Sequence, residues 1–422
     1  MKNIGILTYH RSINYGAFMQ CYSLATRLQE DFPNDHVEVI DYLSEKVYLG
    51  YRPSLNNYLK LCKERTGLRA KGRTIKELVL YLLKKQKNTA HTSLASLFES
   101  STERLPLSSE YIVTDSTEIM FNKIAGKYDI LIVGSDAVWN WVLRGFPNPY
   151  FLNRPNLAPV KMSYSASSYG QEYLDLSDEK KRYIREAWRD FKYLGVRDIA
   201  TEQFVSFIDP ELKPTHNCDP TVFLDLSIFR NCVDRVKKEM QEQGVDFSKP
   251  IVGIMGLDDL GSHVRKVIGE ETQLVAIFKK NTYADFYLGE MTPFEWSVAF
   301  SLFSVTFTHY FHGNLLSLKN GTPTIIIEHA SEYNKRHNSK IRDLMGRLDL
   351  LNHCFYMEDY DFSEVKSLYQ SILADNKNLL SKRIDAALKK EAETYLDFKL
   401  NLSEFISDKK SLMPDDNLSV SL

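Results

Sequence analysis

The sequence predicts an α/β protein of two similar-sized halves, each a parallel sheet wrapped by helices, with the two sheets facing a central cleft. Three observations carry that expectation. Short, buried-type strand runs alternate with helical patterns along most of the 422 residues. The alternation starts afresh after Cys218-Asp219-Pro220-Thr221. The length suits two or three domains at roughly 150 residues each, and an apolar content of 43% fills a core in each half. Disorder and small disulfide scaffolds are excluded.

Taken in order, residues 4–8 read as a strand, 9–16 as a loop, 17–28 as a helix and 37–41 as a second strand, a βαβ unit. Further strands are expected at 128–133, ending in Gly134-Ser135-Asp136, and at 161–165, ending in small residues. A helix over 177–193 leads into a strand at 194–196. The second series places strands at 251–255, 273–278, 304–308 and 324–328. The domain reading is therefore an N-terminal α/β domain at 1–215 with a basic helical insertion at about 55–105, and a C-terminal α/β domain at 216–361. Helices over 362–406 pack back on the first half, and 407–422 is a polar, frayed tail.

The 53 Lys+Arg against 55 Asp+Glu leave a net charge of -2, so the field of the whole chain does not draw nucleic acid, although a basic groove can hide in that average. The stretch Lys60 to Lys87 holds ten Lys/Arg against Glu64 and Glu77. It reads either as a solvated helical face or as a contact for an anionic partner such as a lipid headgroup surface. Five scattered cysteines without a CxxC pair argue against a disulfide framework or a structural zinc site, and no metal is expected. The N-terminus MKNIGILTYH enters a strand at once and no later apolar stretch approaches the length of a spanning helix. A cytoplasmic protein, at most peripheral at a membrane, is the expectation.

In open parallel sheets, ligands bind beyond the carboxyl ends of the strands, so the loops after the strands are where candidate residues belong. In the first such loop, Asn14, Tyr15 and Gly16 precede a helix, and Gly16 lets backbone approach a ligand there; a plain tight turn is the competing reading. Neither GxGxxG nor GxxxxGKS/T is present, which weighs against a dinucleotide site and a phosphate loop. After the strand at 128–133, Ser135 and Asp136 sit on the ligand-facing edge. Asp136 serves a ligand or caps the next helix, and Trp139 stacks on a sugar or fills the core. Arg197, just past another strand, grips a phosphate or carboxylate, or pairs with Asp198 or another acid. His312, in Thr308-His309-Tyr310-Phe311-His312-Gly313-Asn314, exchanges a proton near neutral pH, with Gly313 opening space beside it and a helix N-terminus supplying amides for an anion. Lys335, Arg336, Lys340 and Arg342 form a basic segment that closes over an anionic ligand or solvates the surface.

The ordered set TYHRSINYGAFMQCYSL, YDILIVGSDAVWN, SYSASSYG, GVRD, CDPTVFLD and THYFHGNLLSLKNGTPTIII resembles the polysaccharide pyruvyl transferase family. The resemblance implies a GT-B-like pair of Rossmann-type domains with the active site in the cleft. It also implies transfer of the pyruvyl group of phosphoenolpyruvate to a sugar of a surface polysaccharide or its lipid-linked precursor, forming a ketal and releasing phosphate. No cofactor beyond the donor substrate is implied. His312 matches a histidine at the family's donor site, and Arg197 matches a second donor contact. Gly313, Asn314, Lys335, Lys340 and Arg342 fall on the same donor side, whereas Asn14, Tyr15, Gly16, Ser135, Asp136 and Trp139 fall on the acceptor side. Some members carry an arginine two residues before the histidine, where this chain has Tyr310, and Lys335, Lys340 or Arg342 is expected to compensate. Relatives of a closer type carry Asp-Ser-Phe-His-Gly where this chain has His309-Tyr310-Phe311-His312-Gly313. Two other functions fit the same architecture: a GT-B glycosyltransferase using a nucleotide sugar, and a non-catalytic sugar-binding or assembly protein.

Overall fold

In the computed structural model, which describes residues 1–51, 55–64, 72, 75–76, 78–79, 89–375 and 378–407, the strand runs become two six-stranded sheets with every pairing parallel. The strands of the first half are β1 (Asn3–Leu7), β2 (His36–Val39), β3 (Tyr42–Leu43), β4 (Ile112–Val113), β5 (Ile130–Val133), β6 (Val160–Ala166), β7 (Tyr193–Val196) and β8 (Thr215–His216). Those of the second are β9 (Ile251–Met255), β10 (Gln273–Ile277), β11 (Phe286–Leu288), β12 (Val305–Thr308), β13 (Thr324–Glu328) and β14 (Cys354–Tyr356). The orders are β2-β1-β5-β6-β7-β8 and β11-β10-β9-β12-β13-β14, with β3 and β4 as a separate pair. Each large sheet reverses its direction of winding once, between β1 and β5 and between β9 and β12. Those two switch points are where the helices on opposite faces diverge and a crevice opens.

The strands read as continuous apolar runs because both faces are covered. In β5, Ile130 and Ile132 belong to one core and Leu131 and Val133 to another, the two-residue period dividing a single strand between two layers. Trp139, Phe151, Trp188 and Phe204 fill the layer on the outer face. The inner layer is shared by both halves. Helix Tyr15–Asp31 lays Tyr15 flat on Trp296, with ring centroids 5.0 Å apart, and Phe18 and Tyr22 edge-on to Phe294. The two sheets are thus tied through an apolar seam at the base of the cleft, rather than by a polar hinge.

The helical pattern over 362–406 is three helices, Phe362–Ala374, Asn378–Ala392 and Tyr395–Ser407. The last returns to the first half, where Tyr395 and Lys399 both donate to the Asp31 carboxylate at 2.7 Å and Phe398 packs on Tyr164 and Tyr193. The strands β8, β11 and β14 are additions to the sequence reading; at two or three residues they carry no periodicity. Most of the basic stretch Lys60 to Lys87 lies outside the described residues; of its ten cations, Lys76 is described with its side chain, which is exposed. The tail beyond Ser407 also lies outside them. Among the described residues no helix is long and apolar enough to cross a membrane.

Candidate active site

The carboxyl ends of the two sheets meet at Gly16 and His312. Asn14 caps helix Tyr15–Asp31 by accepting from Ala17 N–H at 3.1 Å, which fixes the first turn and sets Gly16 against the other half. A Cβ on Gly16 would lie 2.0 Å from His312 Nδ1, so the imidazole rests on the glycine itself. On the opposite side, β12 ends at Thr308, whose hydroxyl accepts from Tyr310 N–H at 2.9 Å and turns the chain into helix Phe311–Lys319. His312 stands in that helix's first turn. Tyr310 gives no side-chain cap, which leaves the first-turn amides to another acceptor.

His312 Nε2 meets Asp219 Oδ2 at 3.3 Å. Asp219 follows β8 and is 3% exposed; its Oδ1 accepts from Thr221 N–H and hydroxyl at 3.0 and 2.7 Å, and its Oδ2 also accepts from Arg197 Nη1 at 2.9 Å. Burial alone raises the Asp219 carboxyl. The charges of His312 and Arg197 and the hydrogen bonds from His312 and Thr221 more than offset it and hold the group well below the usual carboxylate range. Arg197 is 1% exposed, with Asp136 at 3.6 Å and Asp198 at 3.9 Å as further acids, and its Nε and Nη2 have no hydrogen-bond acceptor. Burial works against its charge, and the three carboxylates reverse that effect.

Both readings of Arg197 left open by the sequence are thereby narrowed. It pairs with Asp219 first and with Asp198 only at long range, and three acids already neutralise it. Two cations that act on Asp136, Lys340 and Arg144, form no ion pair with a carboxylate within 4.0 Å among the described residues. Lys340 begins helix Lys340–Arg347, with its Nζ 4.7 Å from the Tyr169 ring centroid and 5.6 Å from that of Phe311. Burial, then the charge of Arg197, lowers its pKa against the pull of Asp136, Asp198 and Asp219. Arg144 ends the short helix after β5 and lies over the Tyr9 ring at 3.4 Å.

Several expected site residues turn out to hold the structure instead. Trp139 is fully buried, 4.8 Å from Trp188 and with its indole N–H on Tyr150 O, so it fills the core and does not face a sugar. Tyr15 is buried in the seam between the halves and donates to Met291 O at 3.0 Å. Asn314 is fully buried and accepts from the Thr324 hydroxyl, which turns it toward β13 rather than the donor. A Cβ on Gly313 would meet Met255 Sδ at 2.6 Å; that glycine lets its helix approach β9 and opens no space beside His312. Arg342 donates to Cys354 O and lies over Tyr356, away from the cleft. Asn140, not Asp136, caps the helix after β5. Ser135 is fully buried, with its N–H on Gln20 Oε1 and an unpartnered hydroxyl. The side chain of Lys335 lies outside the described residues. Asp219 and Arg144 are site residues that the sequence does not single out. A cation eight residues beyond the Gly134-Ser135-Asp136 turn, and an acid after the strand that follows Arg197, are their signals in the sequence.

No curated protein matches the chain by sequence. Among solved structures, a candidate UDP-N-acetylglucosamine 2-epimerase from Listeria monocytogenes is similar at 9% identity and a TM-score of 0.51, covering 97% of this chain and 99% of that one. The UDP-GlcNAc 2-epimerase from Neisseria meningitidis bound to UDP-GlcNAc aligns at 11% identity and a TM-score of 0.48, over 94% and 100%. The first likeness supports the fold alone, a GT-B-like pair of Rossmann-type sheets facing a cleft. A family model is more specific: polysaccharide pyruvyl transferase matches residues 14–331. That span opens at the helix cap beside Gly16 and closes beyond His312, so Asp136, Arg197, Asp219 and His312 all fall inside it, and the chain belongs to the polysaccharide pyruvyl transferase family.

Proposed function

We propose that the protein moves the pyruvyl group of phosphoenolpyruvate onto two hydroxyls of one sugar in a polysaccharide or its lipid-linked precursor, giving a cyclic ketal and phosphate. The observation that carries this reading is the pairing of His312 with the buried Asp219 at the junction of the two sheets, 3.3 Å from Nε2 to Oδ2, beside an uncapped helix N-terminus. The carboxylate fixes the ring's orientation, as an acid/base histidine needs. The donor is a small trianion. Its phosphate suits the free amides at the start of helix Phe311–Lys319, and its carboxylate suits Lys340, which takes the place of the arginine that Tyr310 replaces.

Arg197 is assigned a supporting part: it holds Asp219 and Asp136 in place and leaves direct donor contact to Lys340. Asn14 and Ser135 flank the acceptor side, Asn14 as an exposed cap and Ser135 as a backbone anchor. The chemistry draws on protein side chains and the donor substrate. A cytoplasmic location, where phosphoenolpyruvate is made, and peripheral contact of the basic insertion with the membrane belong to the same proposal.

A thermal-shift series tests the donor. Phosphoenolpyruvate is expected to raise the melting temperature of the wild type, and Lys340→Met to remove most of that rise, because a ligand that binds the folded state stabilises it by RT ln(1 + [L]/Kd), which falls as Kd rises. Stabilisation by a nucleotide sugar and not by phosphoenolpyruvate would replace this reading with glycosyl transfer.

A further inference from the structure

We infer that Asp136 is the base that takes the proton from the attacking sugar hydroxyl, leaving His312 as the acid that serves the donor. This assignment rests on the pyruvyl-transfer reading above and adds a second proton-handling group to it. Asp136 is held in the left-handed region at φ 71, uncommon for a residue with a side chain. Its backbone carbonyl is engaged twice, by Val138 N–H at 2.7 Å and Ser167 N–H at 2.9 Å. The turn is therefore locked, and the strain serves to aim the carboxylate.

The carboxylate itself is left without a hydrogen-bond donor among the described residues. Its nearest cation, Arg197 Nη2, is 3.6 Å away and the same guanidinium is bound more closely by Asp219. A buried carboxylate ordinarily collects donors, as Asp219 does from Thr221, Arg197 and His312. Asp136 collects none and stays 11% exposed at its side chain, a free acceptor beside the dyad. Burial raises its pKa, but Arg197, His312, Arg144 and Lys340 face it from four segments and together lower it; Tyr150 is a further titratable neighbour, and Asp198 and Asp219 share the Arg197 guanidinium with it. The group stays ionised, ready to accept a hydroxyl proton.

The step balances with these two residues. His312 gives its proton to C3 of phosphoenolpyruvate, the C2–C3 π pair becoming the new C–H bond. The first hydroxyl oxygen bonds to C2 and its proton passes to Asp136, from which it recharges His312. The C2–O bond to phosphorus-bearing oxygen breaks, its pair leaving with phosphate; the second hydroxyl bonds to C2, and its proton departs on the phosphate.

The test uses the full chain, phosphoenolpyruvate, and p-nitrophenyl glycosides of glucose, galactose and mannose, with water as the fallback acceptor. Asp136→Asn is expected to lower phosphate release by about 100-fold or more while retaining the thermal shift with phosphoenolpyruvate. Asp136→Glu should recover part of the loss. Phosphate release within about threefold of the wild type, or loss of the phosphoenolpyruvate shift in Asp136→Asn, overturns the assignment. So does a wild type that binds phosphoenolpyruvate yet releases no phosphate with any acceptor, water included. A wild type that phosphoenolpyruvate fails to stabilise removes instead the donor reading beneath it.

Discussion

Gly16→Ala is expected to lower the rate of pyruvyl transfer by about 100-fold or more, the size of effect that a displacement of about 1 Å produces in a reacting group. The added methyl would stand 2.0 Å from His312 Nδ1, 2.2 Å from Cγ and 2.7 Å from Cβ. A clash with a ring tip can be relieved by rotation, but a clash with the root of the side chain cannot. His312 Cβ is fixed by its helix, and the ring has to swing off Asp219. Two terms of opposite sign act on stability. Alanine inside a helix gains about 0.5–1 kcal/mol over glycine, whereas overpacking a tight contact costs about 1–3 kcal/mol. The contact is rigid on both sides, so a lower melting temperature accompanies the lost rate. Gly346→Ala is the control, since its methyl would meet Leu351 at an ordinary 3.5 Å. Steady-state phosphate release from both variants reads the outcome, and a wild-type rate in Gly16→Ala would mean that the imidazole does not act from this position.

Asp219→Asn is expected to cost about 3–5 kcal/mol of stability as well as most of the activity, the penalty for breaking a buried pair by removing one partner. Without that charge, Arg197 keeps only Asp136 at 3.6 Å and Asp198 at 3.9 Å inside a site where it is 1% exposed. The amide nitrogen of asparagine also places a donor against the donors of Arg197 or His312. The pH dependence follows in sign. A carboxyl whose folded pKa is depressed binds fewer protons folded than unfolded, so its stabilisation is complete above the ordinary value of about 3.9 and drains away as pH falls below it toward the folded value. Urea unfolding of the two proteins at about pH 6 and about pH 3 should therefore show a gap that narrows on acidification. Equal stability at both values would mean that Asp219 does not hold the cluster together.

Much of the architecture was legible because both faces of each sheet are covered. The run Thr324–Glu328 reads as a strand at the residues where the strand occurs, every position being buried. His312 was legible from its place between a strand and a helix. Asp219 was not: its partners Arg197 and His312 are 22 and 93 residues away in sequence, and the strand before it has two residues, too few for a period to register. For Trp139 the sequence left both a sugar-facing and a core reading, and the structure takes the core one. Trp139 follows Asp136 closely in a turn that faces the cleft, yet the left-handed backbone at Asp136 redirects the chain and sends the indole into the layer with Trp188. The proposed exchange of donor anchors likewise rests on tertiary packing. Arg197 has the better chemistry for a carboxylate, and only the packed structure shows three acids already around it while Lys340 has none within 4.0 Å among the described residues.

The central claim is that one cleft joins a phosphoenolpyruvate-derived carbon to two hydroxyls of one sugar. Mass spectrometry of a p-nitrophenyl hexoside after incubation with the wild type and phosphoenolpyruvate tests it most directly. The account predicts a product heavier by one cyclic pyruvyl ketal, formed with one phosphate per turnover and absent with His312→Ala. A sugar returned unmodified while phosphoenolpyruvate is consumed, or one extended by a glycosyl unit when a nucleotide sugar is supplied, would contradict it.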